Sequence, residues 1–367
     1  MIETIFTENP EDDLWRELLQ YSYKANVTKY LNEHSFSPNE TLINSITGSI
    51  LQAHEYYSAC KHANLQISPL LLYYGTTNLL FGATALTSGS IPVIKSHGMN
   101  PDLPTGKNYY IAETNIVFSD SERGGIHNFL KSFDCNEDLT KYGTWQLKDF
   151  ISSIAEINND YQRCYSEKIG NVLMLDVIKS QSGYVERIYY TNDNYSSILE
   201  AIRRVENFNS SYLKPSSGHD HATDQDFIIL RPKLNSVNIK KKSFFGQPYL
   251  QAGIIKNGHT ISIPPLFNMY ISLFIMGSLC RYHPEIWGPF ALTDETGERL
   301  LVEKLMYYAR RMLPNIILNK LYSKDMTYVT QRYIEKETIK FVNEHEVKEL
   351  ISQELYLRNQ HNFIDKL

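Results

Sequence analysis

Cysteine is scarce in this sequence, and its few cysteines are widely spaced. No C-x-x-C pair occurs among the four, which are Cys60, Cys135, Cys164 and Cys280. This spacing argues against a zinc ribbon and against a disulfide framework, and it is typical of a reducing compartment. The N-terminus also lacks a basic region followed by an apolar run, so we predict no signal peptide and a cytoplasmic protein.

Several motifs of nucleotide and hydrolase chemistry are missing as well. Neither a Walker A motif nor G-x-G-x-x-G nor G-x-S-x-G occurs in the 367 residues. Their absence argues against nucleotide hydrolysis, dinucleotide chemistry and an α/β-hydrolase. The formal net charge of -5 is mild and indicates neither nucleic acid nor an anionic membrane as a partner. No pattern identifies a cofactor, so the cofactor is left open.

Charge is also absent from one long stretch. Residues 62–94 contain no Asp, Glu, Lys or Arg, which is long enough to consider a membrane span. Against a span, Thr76, Thr77 and Asn78 lie near its centre, Pro69 interrupts its start, and no basic cluster flanks it. A helix that is apolar on every side is also typical of a protein core. We therefore predict a buried core helix and no membrane association.

Helical patterns at both ends of the chain flank a middle with strand patterns. Apolar spacing predicts helices within 12–87, and again from 264 onward, at 266–281, 294–322 and 325–361. The middle alternates turns with strand-like segments, interrupted by a predicted helix over 144–165. We expect an α+β protein in which the N- and C-terminal helices pack together and the smaller middle region contains the sheet.

Three regions follow from this pattern. Residues 1–89 form an N-terminal helical part, 90–262 a mixed α/β middle region, and 263–367 a C-terminal helical part. We expect 1–89 and 263–367 to form one core, because two sets of amphipathic and apolar helices bury their surfaces best against each other.

Two stretches carry longer motifs. In the first, AHEYYSACKHANLQISPLLLYYGTTNLLFGATAL, an A-x-x-Y-x-x-A helix runs into P-L-L-L-Y-Y-G, and the second, YISLFIMGSLCRYHPEIWG, reads as a helix that ends in R-Y-H-P-x-x-W. Both resemble signatures of the YaaC-like family of bacterial proteins. MLPNIILNKL, SHGMN and the Gly-Gly-Ile-His-Asn-Phe-Leu stretch from Gly124 add weaker similarity, so the likeness extends over 52–322. Ser68 departs from the basic residue that often precedes the family's proline. The family is functionally uncharacterised, so the resemblance implies a bacterial cytosolic protein without naming an activity.

The Arg-Tyr-His-Pro motif is the first candidate site. Pro284 predicts that the apolar helix ends near His283. A cation in the last helical turn gains about 0.3–1 kcal/mol from the helix dipole, which by itself explains Arg281 as a structural residue. The nearby Tyr282 and Trp287 leave a second interpretation open. There, Arg281 binds a carboxylate or phosphate, and His283 acts as a general acid or base.

Polar groups on the predicted core helix are further candidates. Tyr73, Tyr74 and Asn78 need hydrogen-bond partners if they are buried. They either tie the two helical parts together, which we favour, or line a ligand pocket with Arg281, Tyr282 and Trp287.

Two alternatives concern metal and nucleic acid. His219 and His221, within GHDHATDQD, are weak metal-ligand candidates because this segment has the composition of a solvated loop. The run NIKKKSFFGQP could contact nucleic acid, although such runs are more often solvated. None of the Arg–His spacings in the chain fits the R-x(4–6)-H spacing of HEPN ribonucleases, so a HEPN-like ribonuclease stays open only as a fold for the helical parts.

These observations predict a cytosolic bacterial protein of unknown activity. The leading hypothesis is a binding or regulatory protein that acts through a partner protein or a small ligand. The alternative is an enzyme acting on RNA or a nucleotide, in which Arg281 and His283 carry the chemistry.

Overall fold

The computed structural model of this chain describes residues 3–102, 110–165, 170–180, 183–221, 224–234 and 236–330. Within these residues the α-helices are α1 (Pro10–Leu19), α2 (Lys24–Glu33), α3 (Glu40–Cys60), α4 (Ser68–Ser88), α5 (Gly125–Ser132), α6 (Leu147–Ile151), α7 (Asn158–Cys164), α8 (Tyr195–Arg203), α9 (Phe208–Ser211), α10 (Pro265–Tyr282), α11 (Pro284–Thr293) and α12 (Glu298–Tyr322).

The strands of the same residues are short. They are β1 (Glu3–Thr7), β2 (Met99–Asp102), β3 (Asn115–Phe118), β4 (Thr144–Gln146), β5 (Val172–Met174), β6 (Asp176–Ser180), β7 (Gly183–Tyr190), β8 (Ser216–Asp220), β9 (Gln225–Leu230), β10 (Lys241–Lys242), β11 (Pro248–Gln251), β12 (Ile254–Lys256), β13 (His259–Ile261) and β14 (Met326–Thr330). Helices at both ends with small sheets between them confirm the predicted α+β class.

The chain divides into two compact units. The first contains the described residues of Met1–Ser166 and Ile254–Thr330, and the second those of Glu167–Gly253. In the first unit, α4 packs against α3, α10 and α12, so helices from both ends of the sequence share one core. The boundaries proposed from the sequence, 89/90 and 262/263, stay predictions.

Close packing of α3 against α4 depends on two small residues in the apolar helix. A Cβ added at Gly75 would lie 2.8 Å from Cδ2 of Tyr57, and one added at Gly82 would lie 2.9 Å from Cδ1 of Ile50. The hydroxyl of Tyr57 also lies 2.8 Å from that of Thr76. Gly75 and Gly82 are therefore contact points inside a continuous helix.

Helix α10 is buried on all sides over most of its length, from Leu266 to Leu279. It crosses α4, where the hydroxyls of Thr77 and Tyr270 lie 3.1 Å apart. In the described part of the chain, no helix is both long and apolar enough to cross a lipid bilayer.

The second unit is built on an antiparallel sheet with the order β6-β7-β9-β8. Register pairs include Ile188 with Ile228 and Gly218 with Phe227. Apolar residues of this sheet, of β5 and β11, and of α8 and α9 form one core: Leu173, Leu175, Ile188, Ile198, Ala201, Ile202, Val205, Phe208, Tyr212, Ile228, Leu230, Leu250 and Ala252.

Two predicted helices differ from the structure. Over 144–165 the chain forms β4, α6 and α7 with irregular turns between them, because β4 pairs with β3 and interrupts the helical pattern. In the predicted helix over 325–361, residues Met326–Thr330 form β14, which pairs in parallel with β1. The remainder of that prediction lies outside the described residues.

Candidate functional site

A cavity of about 330 Å³ in the first unit brings many of the sequence candidates together. Its walls are the first turns of α4, the end of α10 and the segment around β2. The described residues that line it are Leu70, Tyr73, Tyr74, His97, Met99, Pro101, Phe274, Gly277, Ser278, Arg281, Tyr282 and His283. We call it the α4–α10 cavity.

Arg281 stands at the last turn of α10. The helix ends at Tyr282, and Pro284 opens α11, so the predicted helix end is confirmed. The guanidinium of Arg281 donates to the hydroxyl of Tyr74, and its central carbon lies 5.1 Å from the ring centroid of Tyr282. Arg281 therefore compensates the helix dipole and also presents a cation to the cavity.

Tyr73 forms the inner wall. Its ring is 3% exposed and packs against Tyr270 and Phe274, at centroid distances of 5.4 and 5.2 Å. Burial raises the pKa of the Tyr73 phenol far above its usual value, so the hydroxyl keeps its proton. The oxygen lies 2.7 Å from Nδ1 of His97. Tyr73 thus serves both interpretations left open by the sequence, since it ties α4 to α10 and lines the cavity.

His97 is the cavity residue that the sequence analysis missed. Burial lowers the pKa of its imidazole, and the charge of Arg281 lowers it further. Of the two neutral tautomers that fit this contact, we assign the one in which the Tyr73 phenol donates to Nδ1. This assignment places the imidazole proton on Nε2, which has no hydrogen-bond partner in the described part of the chain.

Backbone contacts hold the His97 segment in place. The amide of Ile126, at the start of α5, donates to the carbonyl of His97 at 3.1 Å. The next residue, Gly98, has a φ of 74°, and a Cβ there would lie 2.9 Å from the Cα of Gly124. Only glycine fits this left-handed and crowded position without strain. The close approach of Gly98 to Gly124 therefore fixes the backbone that carries the imidazole of His97.

The polar lining of the cavity favours a negatively charged ligand. Arg281, His97 and His283 are among the described residues that line it. None of the described lining residues is aspartate or glutamate. Glu285 pairs with Nδ1 of His283 at 3.2 Å. An anion would find a cation and hydrogen-bond donors there, and the described lining itself contributes no carboxylate.

The comparisons with known proteins agree with the motifs. A family model described as YaaC-like protein matches residues 10–321. The chain belongs to the YaaC-like family. No curated protein and no solved structure matches it.

Two further candidates of this YaaC-like chain lie outside the cavity. Trp287 is 1% exposed, and its indole N–H donates to the carbonyl of Leu65 at 3.0 Å. The amide of Asn78 donates to the carbonyl of Tyr74 at 2.9 Å, one turn earlier in α4. Both side chains have internal partners in the structure, and their ligand-binding role stays a prediction.

The weak metal candidates lie in the second unit. Nδ1 of His219 is 2.8 Å from Asp226 and its Nε2 is 3.4 Å from Asp224, while the ring of His221 is 4.9 Å away. The hydrogen bond to Asp226 raises the pKa of His219, which favours the protonated form that cannot bind a metal. In the described part of the chain, no group of three or more His, Cys, Asp or Glu side chains could hold a metal ion.

The basic-aromatic run is only partly available to a partner. The ammonium of Lys240 lies 2.6 Å from the carboxylate of Glu186, which is itself fully buried. Burial lowers the pKa of Lys241. Lys242 and Phe245 are exposed. Since Lys240 is paired with a buried carboxylate and Lys241 is half-buried, the exposed charge of this run is smaller than its sequence suggests. Contact with a nucleic acid stays a prediction.

Proposed function

We propose that this protein binds a small organic anion in the α4–α10 cavity and acts as a binding or regulatory protein through that ligand. The observation that carries the proposal is the absence of a carboxylate among the described lining residues, together with the presence of Arg281. Guanidinium groups bind carboxylates and phosphates with paired hydrogen bonds, which gives both affinity and orientation.

The remaining walls suit an organic ligand. Tyr73, Tyr74, Phe274 and Tyr282 contribute rings, and Leu70 contributes an apolar side chain. Ligand sites are typically cavities of about 300–1,000 Å³ with apolar and aromatic walls and a few polar groups. At about 330 Å³ the cavity lies at the small end of that range. A metabolite-sized ligand suits it better than a peptide or an extended nucleic acid.

The proposal is tested by native mass spectrometry of the protein purified from bacterial cells. We expect a bound metabolite whose mass is lost after denaturation, and whose occupancy falls at least about tenfold in Arg281→Ala, since a hydrogen bond to a charged group contributes about 1.5–3 kcal/mol. A matched control is Arg16→Ala, which removes an exposed arginine whose one ion pair with a described residue is with Asp13 on its own helix.

Thermal unfolding of both variants decides whether a loss of ligand is specific. Ligand retained in Arg16→Ala and lost in a folded Arg281→Ala supports the proposal. An apo mass for the wild-type protein, together with unchanged melting temperatures across a panel of carboxylates and phosphates, would contradict it. In that case Arg281 would be a structural helix end, and any function would depend on a partner protein.

An enzyme acting on RNA or a nucleotide is the second candidate. Two observations favour it: His283 lines the cavity beside Arg281, and His97 offers a neutral imidazole there. In this hypothesis Arg281 holds a phosphate and His283 or His97 acts as general acid or base.

The two candidates differ in turnover. For an enzyme, His283→Ala or His97→Ala should lower the rate of cleavage of a single-stranded RNA or a nucleotide by about 10²–10⁴-fold without loss of binding. Binding without turnover in the wild-type protein would leave only the first candidate.

A further inference from the structure

We propose that the ligand of the α4–α10 cavity is a phosphate monoester of an aromatic group, and that His97 takes up a proton when the ligand binds. This inference rests on the proposed function, since it names the class of anion and the way in which the same site senses charge. Its geometric basis is the position of His97 in the cavity lining, with Nδ1 bonded to Tyr73 and with Nε2 unpartnered among the described residues.

Three separate donors surround the cavity. Arg281 uses one of its N–H groups for Tyr74 and keeps others available. His97 presents Nε2–H in the assigned tautomer, in which Nδ1 accepts from Tyr73. The hydroxyl of Tyr74 accepts from Arg281 and keeps its own O–H as a donor. A phosphoryl group has three terminal oxygens and can accept from all three donors at once, whereas a carboxylate has two oxygens in one plane.

The aromatic walls determine the other half of the ligand. Phe274 and Tyr73 lie on one side, 5.2 Å apart, and Tyr74 is 5.3 Å from Tyr73. A flat ring of the ligand can pack against the part of this aromatic cluster that is exposed to the cavity. The volume of about 330 Å³ limits the ligand to one ring system with one phosphoryl group.

Proton uptake follows from the groups that face His97. From α4 these are the hydroxyls of Tyr73 and Tyr74, and from the end of α10 and its junction with α11 they are Arg281 and His283. The start of α5 contributes backbone only, through the amide of Ile126.

In the free protein, therefore, no carboxylate among the described lining residues stabilises an imidazolium at His97, and the charge of Arg281 disfavours it. A phosphate monoester carries about -1.5 to -2 charges at neutral pH and reverses this balance. Once the dianion is bound, the favourable form of His97 is the protonated one.

The test is isothermal titration calorimetry at pH 7.0 with phenyl phosphate and phenyl sulfate as probes. The two have nearly the same shape, but the sulfate carries a single negative charge that does not titrate. Measurements in buffers of different ionisation enthalpy give the number of protons taken up per ligand. We expect phenyl phosphate to bind at least about tenfold more tightly than phenyl sulfate, with uptake of roughly half a proton or more.

Two variants assign the effect to His97. In His97→Gln, which keeps an N–H donor but cannot be protonated, proton uptake and the preference for phosphate over sulfate should both disappear while binding persists. The matched control is His54→Gln on α3, where the histidine does not line this cavity and both effects should persist.

The outcomes separate this inference from the proposed function. Equal affinity for the two probes, or binding without proton uptake in the wild-type protein, overturns the inference and leaves a binding site for another anion. The inference also falls if neither probe binds while native mass spectrometry shows a different anion that depends on Arg281. If neither probe binds and no such anion is found, the proposed function falls with it.

Discussion

Glu298 holds together three parts of the first unit, and its removal should be among the most damaging single changes in this protein. It is the first residue of α12 and is 1% exposed. Its carboxylate accepts from the backbone amides of Ile111 and Ala112, at 2.6 and 2.9 Å, and from the hydroxyl of Tyr165. A buried carboxylate at the start of a helix is also favoured by the helix dipole.

The expected cost follows from these donors. In Glu298→Ala the amides of Ile111 and Ala112 lose their acceptor in an environment with little water, at about 1–3 kcal/mol each. With the Tyr165 hydroxyl added, we expect the free energy of unfolding to fall by about 3–5 kcal/mol. Glu298→Gln keeps one oxygen but turns an N–H group toward a donor, so it should cost about 1–3 kcal/mol.

Urea-induced unfolding followed by tryptophan fluorescence measures this effect. All three tryptophans, Trp15, Trp145 and Trp287, are buried in the first unit, so the signal reports the unit that contains Glu298. The matched control is Glu303→Gln on the same helix, where the carboxylate forms a partly exposed pair with Arg299.

That control should cost less than about 0.5 kcal/mol. If Glu298→Ala is no more destabilising than Glu303→Gln, the three hydrogen bonds do not hold the unit together and the reasoning fails. Hydrogen exchange at Ile111 and Ala112 gives an independent check, since both amides should lose protection in Glu298→Ala.

Three further predictions concern stability. Burial lowers the pKa of His127, which is 2% exposed, so protonation of this side chain favours the unfolded state. The free energy of unfolding should therefore fall as the pH drops below about 6.5. The urea midpoint of His127→Phe should change less from pH 7 to pH 5 than that of the wild-type protein. Gly98→Ala should lower the urea midpoint more than Gly258→Ala, because both positions have a positive φ but only position 98 is crowded. Lys240→Met leaves the buried carboxylate of Glu186 without its cation, although the Tyr212 hydroxyl still donates to it. The free energy of unfolding, followed by circular dichroism, should fall by about 3–5 kcal/mol, and the added change Glu186→Leu should restore most of it.

Local sequence rules predicted much of the helical framework. The uncharged run at 62–94 contains α4, and the proline after His283 ends α10 where expected. The predicted helix over 144–165 failed because β4 pairs with β3, a contact between residues about 30 positions apart. The same reason explains β14, whose partner β1 is at the other end of the chain. Pairing of distant strands leaves little trace in a local pattern of apolar residues.

The candidate site was predictable only in part. Arg281, Tyr282 and His283 stood out because polar groups followed an apolar helix, and Tyr73 and Tyr74 because they lie within one. His97 gave a weaker signal, since the SHGMN segment resembled a family feature but showed no chemical pattern. Its role became visible through the contact with Tyr73, which is 24 residues away, and through the crowded glycine that follows it.

By itself, the sequence determined where the helices of this YaaC-like protein end and which of them are buried, because prolines, charges and apolar spacing act over a few residues. Only the tertiary structure decided that Arg281 meets Tyr74, 207 residues earlier, and that His97 lines the same cavity. The crossing of α4 and α10 brings these groups together, and that crossing depends on how whole helix surfaces fit. Local spacing does not encode such a fit.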